Sequence, residues 1–323
     1  MLFDRYIVVD WSANNAPKRG TDSVWICVLD AAGGARTENP PTRGQAVAIV
    51  RAVVGESVAC NQRVLVGFDF PYGYPRGLAD ALGLKGSPWL AVWEHLASEL
   101  EDDPETNVNN RFDVAAALNR RLGYQVFWGR PGNCRQLDRL SGDLSLGKSA
   151  CHYGAHAPEL AEYREVERIL RDSMRRSARR ERPHSVWQLT GAGCVGSQAL
   201  TGIPVLERLI HADELAEVSV VWPFQVGVPR HPPRHASVVH AEVWPSLFAV
   251  RRHRGQVRDE AQVVTLAEEL RERDRIGTLE DLFAAPVTNG PTAYLEEGWI
   301  LGAASPHTAS GAVARGRSTT LET

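Results

Sequence analysis

The sequence predicts an α/β fold, a mixed sheet flanked by helices. Three observations predict it: short β-branched runs early and late in the chain, amphipathic helical patterns between and after them, and 323 residues at 43% apolar, enough for a sizeable core. The run Tyr6-Ile7-Val8-Val9-Asp10-Trp11-Ser12 reads as a buried strand with a polar end, and Ser23 to Leu29 as a second. A turn follows at Asp30 to Gly34. Thr42 is placed to cap a helix whose Val47, Val50 and Val54 share one face. Arg63 to Asp69 is the next strand, ending on the aspartate and broken by Pro71.

From about 75 to 184 the pattern turns helical, with candidate helices at Trp89–Leu100, Asn110–Leu122 and Pro158–Arg182, and it reads as a large helical insertion after the central strand. A strand is expected at Ser185–Leu189, a helix at Ser197–Ile210, and strands at Val218–Phe224 and Ser237–Val243. Asp259 opens a last helix with Val263, Leu266 and Leu270 on one side. The expected organisation is one domain over 1–304, insertion included, and a disordered Ser/Thr/Gly/Ala-rich tail over 305–323.

The net charge of −3 excludes a protein that coats nucleic acid through bulk charge, although 33 of the 36 basic residues are arginine, the side chain suited to bidentate phosphate or carboxylate contacts. Five cysteines with no C-x-x-C pair point neither to a disulfide framework nor to a cysteine zinc site. The first residues carry no signal-peptide pattern, and no apolar stretch nears the roughly 20 residues that span a bilayer. A cytoplasmic chain without membrane contact is the expectation.

The recurring feature is an acid at the end of an apolar strand: Asp10, Asp69 and Glu242, with Asp259 at a helix start. A charge there is costly to bury without a partner. Converging carboxylates suit the hard cations Mg²⁺ or Mn²⁺, which activate water and stabilise a leaving oxygen. The plainer account is that each acid merely ends a strand, faces a helix dipole or pairs with an arginine.

Asp10 in VVDWSA, Asp69 in GFDFPYG, the segment VWQLTGAGCVGSQALTGIPVLERL over 186–209, Glu242 in AEVWPS and Asp259 in RDEAQV together resemble a domain-of-unknown-function family described as predicted RNase H-like nucleases. NNRF over 109–112 and FWGRP over 127–131 resemble a subgroup of it. The resemblance implies an RNase H-like mixed sheet begun by an antiparallel meander. It also implies catalytic and metal-binding roles for Asp10, Asp69 and Asp259, with Glu242 as a strand-end acid of the same pattern.

Other features offer substrate contacts. Gly191-Ala192-Gly193-Cys194-Val195-Gly196 satisfies G-x-G-x-x-G, so a dinucleotide is one reading. Glycines for a tight turn are another, and Gly193, Ser197 and Gln198 meeting a substrate phosphate a third. Residues 164–182 hold eight arginines against four acids, giving a stripe of Arg164, Arg168, Arg171, Arg175, Arg179 and Arg182 that reads as a phosphate track or as a solvated face. Arg164 and Glu167, three apart, read as a brace for a site. Ser12, Asn110 and Arg111 complete the candidate substrate-binding set, with capping as the plain role of the asparagines. His152 and His156 sit beside Gly154 and Pro158, whose loop character speaks against zinc.

The resulting expectation is a metal-dependent phosphodiester hydrolase whose partner is nucleic acid. The alternative is an enzyme or binding protein of the same fold acting on a nucleotide or phosphorylated small molecule, in cofactor or secondary metabolism. A non-catalytic module whose acids pair with arginines is the third possibility.

Overall fold

The computed structural model describes residues 1–154, 160–176, 181–226, 231–252, 254–285 and 292–304. In chain order the elements are β1 (Arg5–Asp10), β2 (Trp25–Asp30), β3 (Ala35–Glu38), α1 (Arg43–Ala59), β4 (Val64–Phe68), α2 (Leu78–Ala81), α3 (Pro88–Glu99) and α4 (Arg111–Leu122). They continue with α5 (Glu165–Arg176), α6 (Val195–Ile210), β5 (Ser219–Trp222), β6 (Val238–Glu242), α7 (Arg258–Arg275) and α8 (Thr292–Glu297). The sheet runs β3-β2-β1-β4-β6-β5. Strands β1 to β3 form an antiparallel meander, and β1, β4, β6 and β5 are parallel neighbours. An α/β chain with a mixed sheet flanked by helices is therefore what the sequence folds into.

Alternation along the strands divides the core. Ile7, Val9, Val64, Val66, Phe68 and Val238 pack with α1, α3, α4 and α6 on one face. Tyr6, Val8, Leu65, Val239 and Ala241 pack with Val263, Leu266 and Leu270 of α7 on the other. Helix α1 starts where its capping residue places it, Thr42 accepting from the Gln45 N–H at 3.3 Å. No helix of the described residues is long and apolar enough to cross a membrane.

Two expectations need correction. Residues 185–189 form no strand: their apolar side chains are buried, but the backbone makes only an isolated bridge, Gln188 with Trp128. The segment expected as one helix over 158–182 is described as helical only over α5; residues 155–159 and 177–180 lie outside the described residues, as do His156, Arg179 and the tail from 305.

Candidate carboxylate site

Register brings the first two acids together. Val9 of β1 pairs with Phe68 of β4, and the Asp69 N–H donates to the Val9 carbonyl at 3.1 Å, so Asp10 and Asp69 leave adjacent parallel strands side by side. Their carboxyls hydrogen-bond to each other. Burial and the neighbouring Asp69 and Asp259 push the Asp10 carboxyl well above the usual range; burial pushes Asp69 up to about 7, against the Trp11 N–H that donates to its Oδ1 at 2.8 Å. Two carboxyls so close and half-buried cannot both ionise cheaply, so the pair holds a proton more readily than two free aspartates would.

Asp259 joins them from the first turn of α7. Its Oδ2 accepts from the Asp22 N–H at 2.7 Å, which ties the helix start to the loop between β1 and β2. Burial raises its proton affinity too, and Asp259 in turn raises that of both Asp10 and Asp69. Asp22 adds a fourth carboxyl near Asp10 and has a left-handed backbone, φ 53°. Nothing in its sequence context distinguishes Asp22 from an ordinary turn residue.

Glu242 does not join this group. It pairs in register with Phe68, whereas Asp10 and Asp69 each follow a residue of that Val9/Phe68 row, so strand alternation turns Glu242 to the opposite face. There both its oxygens are engaged by Arg164: Nη1 donates to Oε2 at 2.7 Å and Nη2 to Oε1 at 2.6 Å, while the Tyr72 N–H donates to Oε2 at 2.9 Å. A carboxylate held by a guanidinium fork is a poor candidate metal ligand, which corrects the expected role.

Arg164 is likewise no part of an exposed stripe. It is fully buried; Nε donates to Glu167 Oε1 at 2.9 Å, and Nη1 also donates to the Glu297 carbonyl at 3.0 Å. Burial alone would favour loss of its proton, and the Glu242 and Glu167 carboxylates more than reverse that. Burial lifts Glu167 to about 7 despite Arg164. Further along α5, Arg168 pairs with Glu165, Arg175 with Asp172, and Arg171 lies over the Tyr163 ring at 4.1 Å. The brace reading of Arg164 and Glu167 fits this geometry, and Arg164 is no member of a phosphate track.

The start of α6 lies beside the strand ends. Gln198 Nε2 donates to the Trp11 carbonyl, Trp11 Nε1 to Thr201 Oγ1 at 3.1 Å, and Ser197 Oγ accepts from Arg111 Nε at 2.9 Å. Arg111 Nη1 reaches Asn109 Oδ1 at 2.8 Å and Asn15, and burial lowers its pKa to about 10. Ser12 Oγ accepts from Asn14 Nδ2 at 2.9 Å in the loop that leaves β1. Ser12 and Gln198 thus flank the backbone that follows Asp10, while Arg111 and Ser197 tie α4 to α6. Asn110 does neither: its side chain joins the Glu101 N–H and the Glu99 carbonyl, each at 3.0 Å, and braces the loop between α3 and α4. Arg43, overlooked among so many arginines, forks onto Asp102 and donates to the Ser12 and Asn14 carbonyls, fixing the loop after Asp10.

Gly193 has φ 73°, and a Cβ there would lie 2.2 Å from the His184 ring, so this glycine seats an imidazole. With no sheet strand before it, the glycine loop lacks the setting a dinucleotide fingerprint requires. A cleft of about 50 Å³ joins the two faces at the strand ends, lined by Asp69, Arg164, Glu167, His184, Glu242 and Trp244 among others.

Among the described residues, no group of three or more His, Cys, Asp or Glu side chains is arranged to hold a metal ion as it stands. The hard-oxygen donors available are the Asp10–Asp69 pair, with Asp259 within electrostatic reach. Mg²⁺ is commonly bound through one or two carboxylates, its remaining ligands being water and substrate phosphate, so the pair fits such an ion. In comparisons with known proteins, no family model, no curated protein and no solved structure matches the chain.

Proposed function

We propose that the chain is an RNase H-like, metal-dependent phosphodiester hydrolase in which Asp10 and Asp69 hold Mg²⁺ or Mn²⁺ and Asp259 completes the charge around it. The observation that carries this reading is the pair of carboxyls set side by side at the ends of neighbouring parallel strands: a site that crowds negative charge in this way is one a divalent cation would occupy in place of a proton. The meander followed by parallel strands, with the acids on β1, after β4 and on a late helix, is in keeping with the fold, and the helices between β4 and α6 take the place of an insertion. A bound ion would supply water activation and stabilisation of the leaving oxygen. The chain's own residues do the rest: Gln198 and Arg43 fix the backbone after Asp10. The test is metal-dependent cleavage of single-stranded, duplex, hybrid and branched nucleic acids, with Asp10→Asn as control; full activity in that variant removes the assignment.

The second reading is an enzyme or binding protein of the same fold for a nucleotide or phosphorylated small molecule. The narrow cleft beside Asp69 and the neutralised arginines of α5 favour it, since neither offers a long polymer a track. Thermal-shift screening with nucleotides and sugar phosphates, with and without Mg²⁺, separates the two, and a chain that responds to none of them is not of this kind.

A further inference from the structure

We propose that Arg164 is the anion-binding group of the cleft, and that Glu242 occupies it as a built-in stand-in for the anionic group of the ligand. For the identity of that group, a phosphate ester, the inference rests on the function proposed above. Glu242 meets the guanidinium with two oxygens at 2.7 and 2.6 Å, the side-by-side fork that a phosphate also makes with arginine. The two side chains line the same cleft as Asp69. Within that cleft the guanidinium fork is already filled by the Glu242 carboxylate, so an anion reaches Arg164 only if Glu242 leaves.

The anchoring of each partner permits the exchange. Arg164 is held from behind by Glu167 at 2.9 Å and by the Glu297 carbonyl at 3.0 Å, contacts that do not involve Glu242. Glu242 has the Tyr72 N–H at 2.9 Å as a second donor, so its carboxylate keeps a hydrogen bond when the fork is surrendered. The guanidinium is thereby preorganised, and affinity for an external anion is reduced by the fraction of time Glu242 covers it.

The test is calorimetric titration of dimethyl phosphate, methyl phosphate and acetate into the full chain and its variants, in buffer with Mg²⁺ and without. Glu242→Gln removes the competing charge and is expected to bind the phosphate esters at least about tenfold more tightly than the wild type. The gain disappears when Arg164→Met is added. Glu242→Asp keeps charge and burial but is too short to reach the fork and Tyr72 together, and carries the same expectation should Glu242→Gln not fold. A stronger response to the diester assigns the subsite to phosphodiesters, and a stronger response to the monoester to small phosphate esters. Acetate binding as well as either overturns the phosphate assignment. Folded variants with unchanged affinity, a gain that survives Arg164→Met, or failure of both Glu242 variants to fold overturns the proposal. Because the readout is binding, a chain that cuts no phosphodiester while showing the gain loses the hydrolase reading and keeps the anion site.

Discussion

Asp10→Asn is expected to stabilise the ion-free protein at alkaline pH. A carboxyl whose folded pKa lies above its unfolded value makes the folded state bind more protons, so its favourable contribution is complete at low pH and is lost as pH rises. For Asp69 the window runs from the ordinary 3.8 to about 7. At about 1.4 kcal/mol per pH unit that is about 4 kcal/mol, a cost set by burial that Asp69 keeps in the variant; what Asp10→Asn removes is the ionisation of Asp10 itself, disfavoured by the same burial and by Asp69 beside it. Replacing Asp10 by a neutral amide leaves a donor for Asp69 and one carboxyl fewer to ionise. The variant should match the wild type near pH 4 and exceed it by about 2–4 kcal/mol at pH 8. At about 2 °C per kcal/mol for a domain of this size, that is a gain of about 4–8 °C in Tm. Scanning fluorimetry across pH 4–8 reads it. Saturating Mg²⁺, at about 100 times its Kd, should stabilise the wild type by about 2.7 kcal/mol and the variant far less. A variant less stable than the wild type at pH 8, or a difference independent of pH, refutes the raised proton affinity of the pair.

Arg164→Met strands Glu242 and Glu167 in the interior and should cost about 3–5 kcal/mol in urea denaturation, most of it recovered when Glu242→Gln is added. Gly193→Ala meets both a positive φ and the His184 ring and should cost about 1–3 kcal/mol; adding His184→Ala should leave only the backbone share. Asp274 accepts from the Leu2 N–H at 2.7 Å, the Phe3 N–H at 2.9 Å and the Tyr6 hydroxyl, so Asp274→Asn should cost about 1.5–3 kcal/mol and speed hydrogen exchange at Leu2 and Phe3.

What could be read from sequence was whatever repeats with the period of its element. The strand bodies of β1, β2, β4 and β6 and the faces of α1, α3, α4, α6 and α7 declared themselves through apolar spacing. Strand β3 did not: Ala-Arg-Thr-Glu is mostly exposed and is a strand because β2 pairs with it, Leu29 opposite Ala35. Residues 185–189 failed in the other direction, an apolar run buried by tertiary packing without a ladder. At the site, Asp10 and Asp69 were legible as strand-end acids, and Glu242 looked equivalent. Which face an acid takes depends on register with the neighbouring strand, and a shift of one residue exchanges the faces. No local pattern fixes that, nor that the first arginine of an apparent stripe, beside its near neighbour Glu167, would be drawn into the interior by the distant Glu242.

The two charge clusters at the strand ends differ in what they lack. Asp69 and Asp259 raise the proton affinity of Asp10, and Asp259 that of Asp69, while the cations Arg258 and Lys18 act on Asp259 without bringing it back to the ordinary range, so the cluster's unmet need is positive charge. Glu242 and Glu167 already have theirs in Arg164. Asp69 of the first cluster and Arg164 of the second line one cleft, so a cation on the aspartates and an anion on the guanidinium would lie within the same narrow space and attract each other. Recognition of a metal-bound phosphate therefore needs no basic track. Of the arginines that the sequence concentrates in 164–182, Arg164 is used inside the protein and Arg168 and Arg175 pair locally with Glu165 and Asp172, so a net charge of −3 does not by itself weigh against the proposed phosphate ligand.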